Sequence, residues 1–239
     1  MKKIRFDILT LFPAMFSAYV QESILKRAQA NGLIQIKLHN WRELATDKHK
    51  RVDDKPYGGG AGMLLMVEPL YKQLKRLKLL DKAKRKKEGT RVILLSPQGK
   101  RLTQKEAVRL SGYDRLVLLA GRYEGFDRRV ETFVDEKISI GPYVLSGGEL
   151  PAMVLLEAVA RQIPGVLGHD EALKDETFTN DVAEYPQYTR PELFQTADGK
   201  RLRVPKILLS GNHANIEAWR REQSKPLQSR RRHDTMLTP

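Results

Sequence analysis

Glycine-rich runs are the residues of this 239-residue chain whose types and spacing best predict chemistry. The longest run, 139–151, is apolar and rich in glycine, and it leads into a helical pattern. Its spacing matches neither the Walker phosphate loop nor the Gly-x-Gly-x-x-Gly dinucleotide fingerprint, and neither pattern occurs elsewhere in the chain. Glycine lets a backbone pass close to a ligand and offer its N–H and C=O groups. The run therefore predicts a pocket for a ligand without phosphates.

Three more glycine-containing loops, 53–63, 95–99 and 120–127, accompany that run. A single glycine more often marks an ordinary turn. Four such loops in one chain, most of them next to predicted strand ends, favour a shared ligand site instead.

Strand and helix patterns alternate through the first two thirds of the chain, which predicts an α/β fold with a parallel sheet covered on both faces. We expect strands over 4–12, 33–38, 91–95, 115–120 and 136–140, and helices over 14–31, 67–80, 104–110, 127–135 and 149–162. Thr103 and Glu106 have the spacing of a capping box. Ligands bind at the carboxyl ends of such strands. Ser96, Gly121 and Gly141 should therefore lie at one edge of the sheet.

The charge distribution predicts a polyanionic partner. The formal net charge is +14, and it is concentrated in residues 72–91 and 200–239, while the remainder is near neutral. The C-terminal segment interleaves arginines with His213, Trp219 and His233, a mixture suited to phosphate neutralisation and to base contact. The lysine cluster 82–87 has a second interpretation, that of a solvated loop.

Composition excludes several classes of protein. The chain has no cysteine, so disulfides and thiolate metal sites are excluded, and its five histidines are scattered rather than spaced as metal ligands. Lys2 and Lys3 precede an apolar run, but Arg5 and Asp7 interrupt it, so we expect neither a signal peptide nor a membrane span. A cytoplasmic location is expected.

The four loops, in this order, resemble those of the bacterial tRNA (guanine-N1)-methyltransferases that act at guanine 37, members of the knotted SPOUT superfamily. Stretches 8–16, 163–168, 188–192 and 208–213 resemble the same family, so the resemblance covers nearly the whole chain. It implies a parallel sheet with a deep trefoil knot in a catalytic domain, residues 1–165. A linker, 166–180, and a small, mainly helical, basic tRNA-binding domain, 181–239, would follow.

The resemblance also implies S-adenosylmethionine as cofactor, tRNA rather than DNA as partner, and a homodimer whose active site lies at the subunit interface. A dependence on Mg²⁺ belongs to the family, but no acidic constellation in the sequence marks a site for it. The cofactor residues implied are Leu95, Ser96, Pro97, Gly121, Arg122, Tyr123, Glu124, Gly125, Ser139, Ile140, Gly141, Tyr143, Leu145, Gly147, Gly148 and Pro151. The RNA-binding residues implied are Tyr57, Gly58, Gly59, Gly60, His213, Arg220 and Arg221.

Methylation at N1 of guanine requires removal of the N1 proton, for which a positioned carboxylate is a suitable base. A guanidinium stabilises the negative charge that develops toward O6, and the resemblance assigns this role to Arg161. The other interpretation of Arg161 is a helix-end charge that complements the helix dipole.

The base is where the chain departs from the family pattern. Relatives carry Glu-Asp-Ser-Phe in the linker, whereas an ungapped alignment places Asp175-Glu176-Thr177-Phe178 there. Glu176 then takes the position of the base, with Asp175 beside it. Ala61 and Lys55 also replace a proline and an arginine of the family, and the sequence ends soon after the arginines 230–232, where relatives continue. We expect this shorter C-terminus to trim the tRNA-binding domain.

Two other functions remain as alternatives. The first is another SPOUT RNA methyltransferase. The second is a non-catalytic RNA-binding protein, which explains the charge but leaves the four glycine loops without a role.

Replacement of Glu176 by Gln should abolish most methyl transfer, because it removes the proton acceptor and keeps the size of the side chain. Loss of a general base lowers rates by about 10²–10⁴-fold. Single-turnover methylation of tRNA measures this loss, and Asp175→Asn is the paired control. A dead Asp175→Asn enzyme with an active Glu176→Gln enzyme would shift the alignment by one residue. Near-normal rates in both would exclude a linker carboxylate as the base.

Overall fold

The computed structural model describes residues 3–168 and 184–235, with the surroundings of side chains described as far as Ser224. The chain divides into two compact units, Met1–His169 and Asp170–Pro239. Within the described residues, no helix combines the length and the apolar character that a bilayer crossing requires.

A parallel sheet of five strands forms the centre of the first unit, in the order β2-β1-β6-β5-β7. The strands are β1 Ile4–Thr10, β2 Ile34–Asn40, β5 Thr90–Arg101, β6 Arg115–Leu119 and β7 Glu136–Ser139. Ile8 pairs with Leu38 on one side and with Leu118 on the other. The predicted α/β fold with a parallel sheet is thus confirmed. An additional short antiparallel pair, β3 Asp53–Asp54 and β4 Leu64–Leu65, flanks the first glycine loop.

Helices cover both faces of the sheet because alternate strand side chains point to opposite sides. Phe6, Ile8 and Leu118 belong to one apolar cluster, whereas Leu9 and Leu119 belong to the other. The first cluster includes buried residues of α1 Ala14–Val20, α2 Ser23–Ala30, α5 Gln104–Ser111 and α6 Glu149–Ala160. The second includes residues of α3 Val67–Arg76 and of two 3₁₀ helices, Trp41–Leu44 and Arg128–Phe133.

Several predicted elements differ from those observed. The single helix expected over 14–31 is two helices, because Ser23 has a left-handed φ of 49° and the amide of Gln29 donates to the carbonyl of Val20, 2.6 Å away. The helix expected over 127–135 is the shorter 3₁₀ helix, capped by Asp127 and followed by extended Val134. The capping box at Thr103 is half formed: its hydroxyl accepts from the N–H of Glu106, 3.3 Å away, but the carboxylate of Glu106 binds Lys100 and Arg109.

Strand β5 continues past Leu95, where the sequence predicted its end. Its register against β7 shifts between Leu95 and Lys100, so the intervening residues bulge out of the ladder. Gly99 makes this possible, since a Cβ there would lie 2.5 Å from the N of Ile138. The bulge carries Ser96 and Pro97 away from the sheet at its carboxyl edge.

The lysine cluster is not a solvated loop. It forms a short helix, α4 Lys82–Lys87, whose first turn is capped by the carboxylate of Asp81, which accepts from the N–H of Lys84 at 2.9 Å. Arg85 points inward and is only 1% exposed. The cluster is therefore a fixed part of the first unit.

The described part of the second unit contains an antiparallel hairpin of β8 Leu193–Gln195 and β9 Arg201–Arg203. A 3₁₀ helix, Lys206–Leu209, and the long helix α7 His213–Thr235 follow. Arg220 stacks on the ring of Tyr185, 4.8 Å from its centroid, and pairs with Glu217 at 2.7 Å.

Asp7 is the fully buried charge at the centre of the sheet. Burial alone would raise the pKa of this carboxyl group. The hydrogen bonds from His39 and Arg5 and the charge of Arg115 outweigh that effect and lower the pKa to about 2. His39 lies 2.5 Å from the carboxylate, and Arg5 and Arg115 each lie 2.7 Å from it. Asp7 therefore remains ionised through the whole range in which the protein functions.

Acid should weaken the first unit partly through Asp7. Since the pKa is lower in the folded state than in the unfolded chain, the stabilisation is present above about pH 4 and is lost toward pH 2, and it amounts to about 2 kcal/mol. Urea unfolding of the wild type and of Asp7→Asn, followed by tryptophan fluorescence, should show their difference narrowing by about this amount between pH 5 and pH 2. The free energy of unfolding of the exposed control Glu43→Gln should follow that of the wild type across this pH range. A pH-independent difference in unfolding free energy between the wild type and Asp7→Asn would contradict the assignment.

Candidate active site

One pocket of about 470 Å³ opens at the carboxyl edge of the sheet. The bulge of β5, the loop after β6 and the loop between β7 and α6 line it. All sixteen residues predicted to bind the cofactor lie in its wall. Their role in binding stays a prediction. The structure brings them together in one pocket wall, as the sequence predicted. Eight further residues of the wall were not predicted: Leu94, Gln98, Phe126, Asp127, Arg128, Glu131, Ile138 and Val144. Four of them lie inside the glycine-containing loops and three more directly follow or precede one, so proximity in sequence was the available signal.

The loop after β6 packs against the start of α6, main chain on main chain. The N–H of Gly148 donates to the carbonyl of Gly121 at 2.8 Å, and Arg122 forms a bridge with Gly147. A Cβ at Gly148 would lie 2.8 Å from both Cα of Ala120 and N of Gly121. Since both atoms belong to the backbone, they cannot turn away as a side chain would. Glycine at this position is therefore required by packing.

Ser139 fixes the turn that begins the longest glycine run. Its buried hydroxyl donates to the carbonyl of Gly141 at 2.9 Å and accepts from the N–H of the same residue at 3.2 Å. The carbonyl of Ser139 accepts from the N–H of Leu102 at 2.7 Å, which ties the turn to the end of β5. Ser139 thus holds both the start of the glycine run and the end of β5, which are two parts of the pocket wall.

The arginines in the pocket wall are paired with carboxylates. Arg122 lies 2.9 Å from Glu149, which is 1% exposed and also accepts from the hydroxyl of Thr10 at 3.0 Å. Arg128 lies 2.8 Å from Glu131. These pairings leave the wall without an arginine committed to phosphate, which agrees with the phosphate-free ligand predicted from the glycine spacing.

Carboxylates make the same wall suitable for a cationic ligand. Glu124 and Asp127 line the pocket, but Asp127 is already paired with Arg129 at 2.7 Å, which lowers its pKa, so Glu124 is the carboxylate that a cationic ligand would meet. Leu95 and Leu145 supply apolar surface beside them. S-adenosylmethionine carries a sulfonium, an ammonium group and an adenine ring, and pockets for ligands of its size hold about 300–1,000 Å³. The residues present therefore fit this cofactor.

The first glycine loop lies beside the pocket. The N–H of Glu124 donates to the carbonyl of Met63 at 3.1 Å, and the N–H of Leu65 donates to the carbonyl of Gly125 at 2.8 Å. Tyr57 is fully exposed at the tip of the loop, and its neighbours have left-handed φ values: Gly58 84°, Gly59 80° and Gly60 127°. The loop is thus placed at the edge of the pocket, and its role in RNA binding stays a prediction.

The predicted catalytic residues are not all described. Arg161 caps the C-terminus of α6, is half-buried and does not line the pocket. Asp175 and Glu176 lie outside the described residues. His213, Arg220 and Arg221 all belong to α7 in the second unit. In the described ranges no three His, Asp or Glu side chains are grouped in a way that could hold a metal ion.

Comparisons of the sequence with known proteins agree with one another. The sequence model of the family described as tRNA (Guanine-1)-methyltransferase TrmD matches residues 4–238. A tRNA (guanine-N(1)-)-methyltransferase of Dictyoglomus turgidum is 49% identical over 221 residues, which are 92% of this chain and 85% of that protein. A protein of the same name from Geobacter sulfurreducens is 48% identical over 234 residues, 98% of this chain and 91% of the relative. One from Staphylococcus aureus strain JH9 is 49% identical over 221 residues, again 92% and 85%.

Replacement of Gly148 by Ala should damage the pocket. The added methyl group presses on the backbone of Ala120 and Gly121, and overpacking of this kind weakens binding by at least about tenfold. Calorimetric titration with S-adenosylmethionine measures the effect. Gly168→Ala is the matched control, because a methyl group there meets no atom within 4 Å. Equal affinities of the two variants would show that the pocket does not depend on this backbone contact.

Proposed function

The chain belongs to the tRNA (Guanine-1)-methyltransferase family, and from this premise we propose that it transfers the methyl group of S-adenosylmethionine to N1 of guanine 37 in tRNA. The observation that carries the proposal is the pocket at the carboxyl edge of the sheet, whose wall holds every residue that the family resemblance assigns to the cofactor. A non-catalytic RNA-binding protein has no use for such a pocket. That alternative is therefore the weaker one.

S-adenosylmethionine, when bound, supplies an electrophilic methyl group on its sulfonium sulfur. The backbone groups of the loops at Gly121 and Gly141 would hold the adenine and ribose, and Leu95 and Leu145 would exclude water from the ring. Glu124 would balance positive charge of the ligand. These residues position the cofactor and take no proton in the reaction.

The linker carboxylate would remove the N1 proton of guanine. We assign this step to Glu176, with Asp175 as the neighbouring alternative. Once N1 has lost its proton, negative charge is shared with O6, and the guanidinium of Arg161 would stabilise it. The half-buried position of Arg161 at the C-terminus of α6 supports this role, because partial burial strengthens a charge interaction relative to water.

We also propose that the chain threads the trefoil knot of the SPOUT superfamily. Two observations support it. The segment after β7 returns to meet the segment after β6, through Gly148 and Gly121. The end of β5 is tied in turn to Ser139 at the end of β7. Such crossings of three successive loops at one sheet edge are what a knotted pocket requires.

An exposed apolar face supports the homodimer. Phe12, Met15, Tyr19, Leu150 and Val154, on α1, α6 and the turn before α1, are each 42–53% exposed. Large contiguous apolar surfaces of this kind mark interfaces. We propose that a second copy of the chain covers this face, and that it brings its Arg161, Asp175 and Glu176 to the pocket.

The test of the proposed function is methylation of a tRNA transcript that carries guanine at position 37. After incubation with S-adenosylmethionine, reverse transcription should stop at that nucleotide, because a methyl group on N1 blocks base pairing. A transcript with adenine at position 37 is the matched control and should give no stop. A stop at another guanine would favour a different SPOUT methyltransferase. No methyl transfer with strong tRNA binding would favour the non-catalytic alternative.

A further inference from the structure

Helix α4 presents a dense basic surface in the catalytic unit. Lys82, Lys84, Lys86 and Lys87 are all exposed, and we call these four residues the α4 patch. Exposed cations precede it in the chain, Lys75 and Arg76 at the end of α3 and Lys78 after it. Seven positive charges therefore face solvent within thirteen residues of chain.

Arg85 holds the α4 patch in a fixed position. Its guanidinium donates to the carbonyl of Leu79, to the carbonyl of Phe133 at 2.9 Å and to Asp135 at 2.6 Å. Asp135 also accepts from the N–H of Val92 at 2.7 Å, which connects the anchor to β5. Burial of a guanidinium has a large desolvation penalty, which only its hydrogen-bond acceptors offset. Because Arg85 needs all three acceptors, these contacts hold α4 in one position.

The charge of the α4 patch is little neutralised by its neighbours. Asp81 uses its carboxylate to cap the helix, and Glu88 lies 3.9 Å from Lys84. In the described part of the chain, no acid lies within ion-pair distance of Lys86 or Lys87. Like charges at this density repel one another, so a partner that supplies negative charge would stabilise the patch.

The chemistry of the α4 patch fits a phosphate backbone better than a protein. Protein interfaces depend on a buried aromatic or arginine anchor. Between 81 and 88 the exposed side chains are lysines, Ala83 and two acids, and the single arginine there is buried. Lysine acts as a point charge on phosphate without reading bases, so the patch suits the backbone of a nucleic acid.

The α4 patch lies far from the pocket. Helix α4 precedes the first residue of β5, Thr90, whereas the pocket begins near Leu94 and Leu95 in the middle of that strand. Five residues of strand span about 16 Å. A small cofactor cannot reach both places, but a tRNA can.

We propose that the α4 patch binds the phosphate backbone of tRNA at a place remote from the methylated base. The inference rests on the proposed function, because it takes tRNA as the substrate. It adds a second contact surface within the catalytic unit. This surface raises affinity for any tRNA and carries no base specificity.

The test is the salt dependence of tRNA binding to the full-length protein. In the variant Lys82→Gln, Lys84→Gln, Lys86→Gln and Lys87→Gln, glutamine preserves helix propensity and removes four charges. Each phosphate contact contributes about 0.7–0.9 to the slope of log K against log salt concentration. We expect the slope to fall by at least about 1.5, and the affinity at physiological salt to fall about tenfold.

The matched control removes four exposed charges elsewhere in the same unit: Lys3→Gln, Lys26→Gln, Arg27→Gln and Lys37→Gln. Its slope should stay close to that of the wild type. An equal fall of the slope in both variants would show that net charge alone causes the effect, and would overturn the inference. An unchanged slope in the α4 variant would overturn it as well. Binding of S-adenosylmethionine and circular dichroism should be unaffected in both variants, so a damaged fold is detected separately. Wild-type protein that binds tRNA without methylating it would contradict the proposed function and leave the salt test intact.

Discussion

The close approach of Gly121 and Gly148 is the constraint on which the rest of the site depends. The N–H of Gly148 donates to the carbonyl of Gly121 at 2.8 Å, and a Cβ at Gly148 would press on the backbone of Ala120 and Gly121. Arg122 and Glu149, the residues that follow each glycine, then meet as an ion pair. The two loops of the pocket wall are therefore held together by a backbone contact that a side chain at Gly148 would disrupt.

Much of the fold and of the pocket could be predicted from the sequence, because periodicity and glycine spacing are local signals. The parallel sheet and the meeting of the loops follow from alternating strand patterns. The break before Ser23, the bulge at Gly99 and the inward turn of Arg85 depend on distant partners such as Gln29, Ile138 and Asp135, which no local pattern reveals. The same reason explains why Thr10 was not identified as a partner of Glu149.

Positive charge has two different uses in this chain. In the pocket, Arg122 and Arg128 are paired with carboxylates and shape a wall for a cationic ligand. On α4, Lys86 and Lys87 have no carboxylate within ion-pair distance among the described residues, and Lys84 has only Glu88 at 3.9 Å, so these lysines remain available to external phosphates. The arginine in that helix is buried and paired with Asp135. The α4 patch and the pocket wall both contain cations. They differ in whether those cations are paired with carboxylates, and this difference makes the patch suitable for a polyanion and the wall suitable for a sulfonium compound.

Arg122 also connects the pocket to the exposed apolar face. Its guanidinium lies 4.7 Å from the centroid of the Phe12 ring and 3.1 Å from the sulfur of Met15, and the residue also lines the pocket. In the proposed dimer, ligand and subunit partner would therefore act on Arg122 from two directions. Thermodynamic linkage makes such coupling reciprocal: the factor by which an occupied pocket strengthens subunit association equals the factor by which association strengthens ligand binding. Dilution of the protein would then lower its cofactor affinity without any change in sequence.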